Sequence, residues 1–186
     1  MMSDVASAIR TLDRLAVEEA FHGCFLDGEN TRLQGGAQEP LYRPARGGEP
    51  NAIFYTLDYA ASALHEVAHW CVAGPERRRR EDYGYWYAPD GRSEEQQRLF
   101  EQVEVRPQAM EWIFNVAAGR RFRVSADNLN MGLGPSESFK QAVFEQTRRF
   151  CRDGLPQRAA RFALALAVRS GVECPFAEEH YQRQAL

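Results

Sequence analysis

The chain has 186 residues, 44% of them hydrophobic and 11% aromatic, which suits one folded domain with a substantial core and excludes a disordered chain. A net charge of −3 argues against a general nucleic-acid binder. Lys140 is the one lysine among 23 basic residues, so a Schiff-base mechanism would rest on a single side chain in a polar helical stretch.

In chain order, Val5 to Cys24 reads as an amphipathic helix with Asp4 as its N-cap and Ile9, Leu12, Leu15, Val17 and Phe21 on its apolar side. A turn-rich region follows, in which Thr31-Arg32-Leu33 and Pro40-Leu41-Tyr42 read as short strands that pair with each other. Ala52 to Tyr55 reads as a further strand. Thr56 to Ala73 reads as a helix stopped by Gly74-Pro75. Arg77 to Arg80 form a basic run, and Tyr83 to Tyr87 an aromatic, strand-like segment closed by Pro89-Asp90-Gly91.

Ser93 with Gln96 has the pattern of a capping box, opening a helix to about Val103. Pro107 ends or kinks it, or starts the next, which runs to Ala118 and closes at Gly119. Val124 to Gly134 is a polar connection containing Asp127-Asn128. Helices from Ser136 to Arg152 and Pro156 to Arg169 follow, then one short helix in the tail. The fold class expected is α+β: a predominantly helical single domain, residues 1–186, with a small sheet. Cys24, Cys71, Cys151 and Cys174 make no CxxC pair and read as reduced thiols. With no signal-peptide pattern and no apolar stretch of about 18 residues, a cytoplasmic protein without a membrane span is expected.

The chemistry concentrates in His65-Glu66-Val67-Ala68-His69, an HExxH on a helix. Imidazoles at i and i+4 share one face and can reach one metal ion. Glu66 between them is a candidate catalytic residue, as a base on a metal-bound water or as an orienting group. A third ligand is needed, and a carboxylate is the natural choice. Glu104 is favoured, flanked by Val103 and Val105 beside Pro107 and next to an apolar face of Phe100, Val103, Met110 and Phe114. Glu101 is the second choice. Two histidines and a carboxylate leave two chemistries open: zinc with Glu66 activating water for hydrolysis, as in metallopeptidases, or iron(II) with open positions for dioxygen.

Longer motifs surround this signature. His65 to Gly74 (HEVAHWCVAG), Tyr83 to Arg92 (YGYWYAPDGR) and Glu104 to Ala109 (EVRPQA) resemble the elongation factor P hydroxylase family. Asn30 to Leu33, Glu39 to Tyr42, Ala117 to Gly119 and Val124 to Leu129 extend the resemblance from about Cys24 to Arg161. It implies an iron-dependent protein-lysine hydroxylase with a zincin-like metal-binding helix, dioxygen as co-substrate, and the β-lysylated lysine of elongation factor P as target. The implied ligands are His65, His69 and Glu104, and zinc can occupy such a site in place of iron. The HxD…H signature of 2-oxoglutarate dioxygenases does not occur in this chain. The partner expected is elongation factor P, with no membrane, no direct nucleic-acid contact and a monomeric enzyme. Arg77 and Arg78 are candidates for docking an acidic protein surface, against the alternative of a solvated loop. Tyr85 and Tyr87 are candidates for lining a lysine channel, against the alternative of core.

Overall fold

The computed structural model describes residues 8–56, 59–83, 93–125 and 134–186. Tyr85, Tyr87, Asp127 and Asn128 lie outside the described residues. The architecture is α+β: among the described residues, five α-helices form a single domain with one three-stranded sheet.

Helix α1 spans Arg14–Glu29, not Val5 to Cys24, and its cap is Asp13, whose side chain accepts from the Ala16 backbone N–H at 2.9 Å. The described residues before it are spent on other elements. Arg10 N–H donates to Ser170 O at 2.7 Å and Leu12 N–H to Ala118 O at 3.0 Å, so this segment straps the far ends of two later helices. Gly119 makes room for it: with φ at +67°, a Cβ there would sit 2.5 Å from Arg10 O.

Strands β1 (Thr31–Ala37), β2 (Leu41–Arg43) and β3 (Asn51–Thr56) form a sheet of order β1-β3-β2. The first two do not pair with each other. β3 lies between them, parallel to β1 and antiparallel to β2. It takes the centre because it has buried residues to offer: Ala52, Ile53 and Tyr55 are all at most 2% exposed.

Helix α2 (Ala60–Val72) packs on β3 and on the next long helix. That helix, α3, runs unbroken through Glu94–Ala117, although Pro107 was expected to divide it. A proline removes one helical hydrogen bond, to the carbonyl four residues back. That residue is Val103, which faces solvent, while burial of residues 107–115 holds the remainder of the helix in place. Both halves of the Ser93–Gln96 capping box form. Helix α4 (Glu137–Asp153) is capped by Ser136, and α5 is Gln157–Ser170. The tail makes two 3-10 turns instead of one helix, because Tyr181 between them is buried against Trp112 with ring centroids 5.3 Å apart. No helix among the described residues is long and apolar enough to cross a membrane.

An aromatic core joins four helices. Phe21 and Phe25 of α1 meet Trp70 of α2, Phe162 of α5 meets both phenylalanines, and Phe114 of α3 lies 5.0 Å from Phe162. This cluster takes one side of α2 and leaves residues 65, 66 and 69 on the other.

Candidate metal centre

The two imidazoles come from successive turns of α2. Its buried residues, among them Ala63, Leu64, Val67 and Trp70, set the rotation of the helix, so His65 and His69 are turned toward α3. The C-terminal end of α2 is held from α5. Arg158 donates to Ala73 O at 3.0 Å and Cys71 O at 3.4 Å, and its guanidinium lies 4.4 Å from the Trp70 ring. A cation on the last carbonyls satisfies groups the helix itself cannot and complements its dipole.

From α3 comes Glu104, 4% exposed. Its Oε1 lies 3.2 Å from His69 Nε2 and its Oε2 4.0 Å from His65 Nε2, while the two Nε2 atoms are 3.1 Å apart. One donor atom from each of the three residues lies within 4.8 Å of the other two. This donor set fits a metal ion. Two imidazoles face each other through nitrogens, one of which must be a protonated donor unless a cation takes both lone pairs. The carboxylate beside them is buried at a cost that a cation offsets. Ligand distances of about 2.0–2.1 Å let both nitrogens reach one ion.

The electrostatics follow from this crowding. Burial would raise the Glu104 carboxyl, but His69, then His65 and the Gln108 amide, hold it at about 2. Burial would lower the pKa of His65, but the Glu111 carboxylate, with Glu104 and Glu66, holds it well above the ordinary value. Burial pushes the Glu66 carboxyl up against the opposing pull of His65 and His69.

Glu66 lines two openings. One is a cleft of about 420 Å³ shared with Thr56, Ser62, His65, Glu111 and Ser125. The other, of about 30 Å³, lies on the His69 side against Tyr42, Ile53 and Trp70. Arg77 and Arg78 border the smaller one, and both are half-buried with partners inside the chain. Arg77 pairs with Asp82, and Arg78 lies 3.7 Å from Glu29 and 5.8 Å from the Trp70 ring. Arg79 and Arg80 are exposed.

Glu101, the second choice for a ligand, does other work. Both its oxygens are engaged by Ser136, from the backbone N–H at 3.1 Å and the hydroxyl at 2.6 Å, which fixes the start of α4 to α3. The apolar face invoked beside Glu104 is also different from the one expected. Met110 and Phe114 are fully buried, but Val103 is 55% exposed. Glu104 shares its face with Glu101 and Gln108 instead. Gln108 donates from Nε2 to Glu104 Oε2 at 3.4 Å and to Ser125 O at 2.7 Å, and its Oε1 accepts from Ser125 N–H at 3.0 Å. Spacing did not single out Gln108 or Glu111, whose Oε2 accepts from His65 Nδ1–H at 2.9 Å. Glu19 and His22 on α1, spaced as Glu66 and His69 are on α2, are not part of the centre. Glu19 faces solvent, and His22 Nε2 accepts from the Leu33 backbone N–H at 3.0 Å.

The sequence model of elongation factor P hydroxylase matches residues 20–180. The chain belongs to the elongation factor P hydroxylase family. A relative from Haemophilus influenzae, named elongation factor P lysine hydroxylase, is 56% identical over 149 residues, which cover 80% of this chain and 84% of the relative. The match to the elongation factor P hydroxylases includes α2, α3 and all three residues of the cluster.

Proposed function

We propose that this chain hydroxylates a lysine side chain of elongation factor P, the lysine that already carries a β-lysyl group, with iron(II) held by His65, His69 and Glu104. The observation that carries this reading is the convergence of two imidazoles and one buried carboxylate in a chain 56% identical to a relative named for that reaction. Iron(II) bound by this ligand set, with positions left open, supplies the activation of dioxygen that a C–H hydroxylation needs, with electrons from an external reductant.

The chain's own residues do the remainder. A bound cation would take one nitrogen lone pair each from His65 and His69, and Glu104 offers a carboxylate that stays ionised throughout the physiological range. Glu66 faces both openings beside the imidazoles and holds or passes a proton there as the catalytic acid–base group. The modified lysine is cationic, and the larger cleft carries the carboxylates of Glu66 and Glu111 to attract it. Arg77 and Arg78 border the docking surface for the protein substrate, and the substrate contacts proposed for Tyr85 and Tyr87 rest on the sequence alone. The enzyme acts as a cytoplasmic monomer, one domain over residues 1–186, without direct nucleic-acid contact.

The test is co-expression with elongation factor P and the enzymes that lysylate it, followed by intact-mass measurement of the factor. A gain of one oxygen atom that disappears with His65→Ala is expected. Iron bound with no gain on lysylated factor overturns the substrate assignment. Peptide cleavage by a zinc-loaded form would replace the hydroxylase with a metallopeptidase-like hydrolase.

A further inference from the structure

Of the carboxylates that crowd the cluster, Glu111 is neither a metal donor nor the acid–base group of the proposed chemistry. It sits seven residues after Glu104 on α3, two helical turns along the same face, and is 8% exposed. Its Oε2 accepts a hydrogen bond from His65 Nδ1–H at 2.9 Å, on the side of the ring opposite to the Nε2 that faces His69 and Glu104.

An imidazole has two nitrogens, and which one offers a lone pair depends on which one carries the proton. A carboxylate only accepts, so this contact requires hydrogen on Nδ1. In the neutral ring that leaves Nε2 bare, toward the cluster. The same contact also fixes the ring plane, because the His65 side chain, pinned at Nδ1, cannot turn its other edge inward. His65 also lines the 420 Å³ cleft, so there is open space beside the ring into which it could turn without this contact.

We infer that Glu111 is a positioning residue: through His65 Nδ1–H it selects the tautomer and ring orientation that present Nε2 to a metal ion. The inference deepens the metal-centre reading and rests on it for the metal, although the hydrogen bond itself belongs to the metal-free protein. It predicts that α3 acts on the centre twice, once through the Glu104 donor and once at second hand through Glu111. Removal of a partner of this kind costs roughly 10–100-fold in metal affinity.

The experiment uses Glu111→Leu and Glu111→Gln in the full chain. Leucine has similar bulk and no acceptor, while glutamine keeps an acceptor oxygen without the charge. In the metal-free proteins, 15N-edited NMR reads the hydrogen on His65 Nδ1. The wild type shows a protected Nδ1 proton, Glu111→Leu loses it, and Glu111→Gln keeps it. Iron(II) titration under anaerobic conditions then gives an affinity roughly 10–100-fold weaker for Glu111→Leu, with partial recovery in Glu111→Gln. Circular dichroism of the metal-free variants, unchanged from wild type, separates positioning from loss of fold. A His65 Nδ1 with no proton in the wild type overturns the inference, as does equal iron affinity in all three proteins. Failure of the wild type to bind iron while the protected proton responds to Glu111 overturns the metal reading and leaves the hydrogen bond assigned.

Discussion

Helix α2 reaches the centre with two histidines on an otherwise ordinary core helix, whose buried residues are Ala60, Ala63, Leu64, Val67, Ala68, Trp70 and Cys71. Helix α3 reaches it along a buried face that is not apolar at all. Glu101, Glu104, Gln108, Glu111 and Asn115 recur at steps of three and four, and each is at most 8% exposed. That spacing is the one a core helix gives to leucines and isoleucines. In α2 the functional groups stand apart from the packing face. In α3 the functional groups form a buried polar stripe beside apolar residues such as Met110 and Phe114, and four of its five side chains are met by a specific partner from another element: Ser136 for Glu101, the imidazoles for Glu104, Ser125 for Gln108, His65 for Glu111. A buried polar stripe is tolerated only when its members are satisfied.

The contrast can be broken residue by residue. The largest effect is expected from Glu104→Ala, which removes the α3 donor and leaves two imidazoles facing an empty site. Iron(II) affinity should fall by more than about 100-fold, since even supporting residues cost up to that much. Anaerobic titration measures it, and affinity within a few-fold of wild type would remove Glu104 from the centre.

Next is an acid limb. The folded state holds Glu104 at about 2, below its ordinary 4.5, so it binds that proton less readily than the unfolded chain. The stabilisation from this carboxylate is therefore complete above about pH 4.5 and is lost as pH falls toward 2, amounting to about 3 kcal/mol. Urea unfolding of the metal-free protein across that window should show the loss, and Glu104→Gln should show a flatter profile. Parallel profiles would mean the histidines do not stabilise the charge.

Glu101→Ala sharpens the comparison further. It leaves iron affinity unchanged and costs about 1–3 kcal/mol in urea unfolding, because Ser136 loses the acceptor for both its groups. The smallest effect belongs to Val103→Thr. Adjacent in sequence to Glu104 but 55% exposed, it should shift stability by less than about 0.5 kcal/mol and leave iron binding unaltered.

How much of this was legible follows the same division. HExxH announces itself because the spacing of two rare residues carries the chemistry. The long helices were visible in outline from caps and stops such as Ser93–Gln96, Ser136 and Gly74-Pro75, although α3 was expected to break at Pro107. Glu104 was picked out for a partly mistaken reason: Val103 beside it is not core, and the real sign was the polar residues at steps of three and four on either side. The same pattern would have found Gln108 and Glu111, had charge at core spacing been read as a site rather than as solvent-facing surface. What no local pattern supplies is long-range pairing. β1 and β2 are close in sequence, yet β3 separates them because burial of Ile53 and Tyr55 sets the register. Asp13 displaced Asp4 as the cap because residues 10 and 12 bond to the ends of α3 and α5.

Arg158 gives this molecule a timetable. His65, His69 and Glu104 have all been made by the time residue 104 is joined, but the cation that closes the end of α2 belongs to α5. At ordinary rates of synthesis the intervening stretch takes roughly 3–10 s to emerge. Throughout that interval the carbonyls of Cys71 and Ala73 are without the partner they have in the folded chain. The candidate centre is thus finished from behind, by the last long helix to be translated.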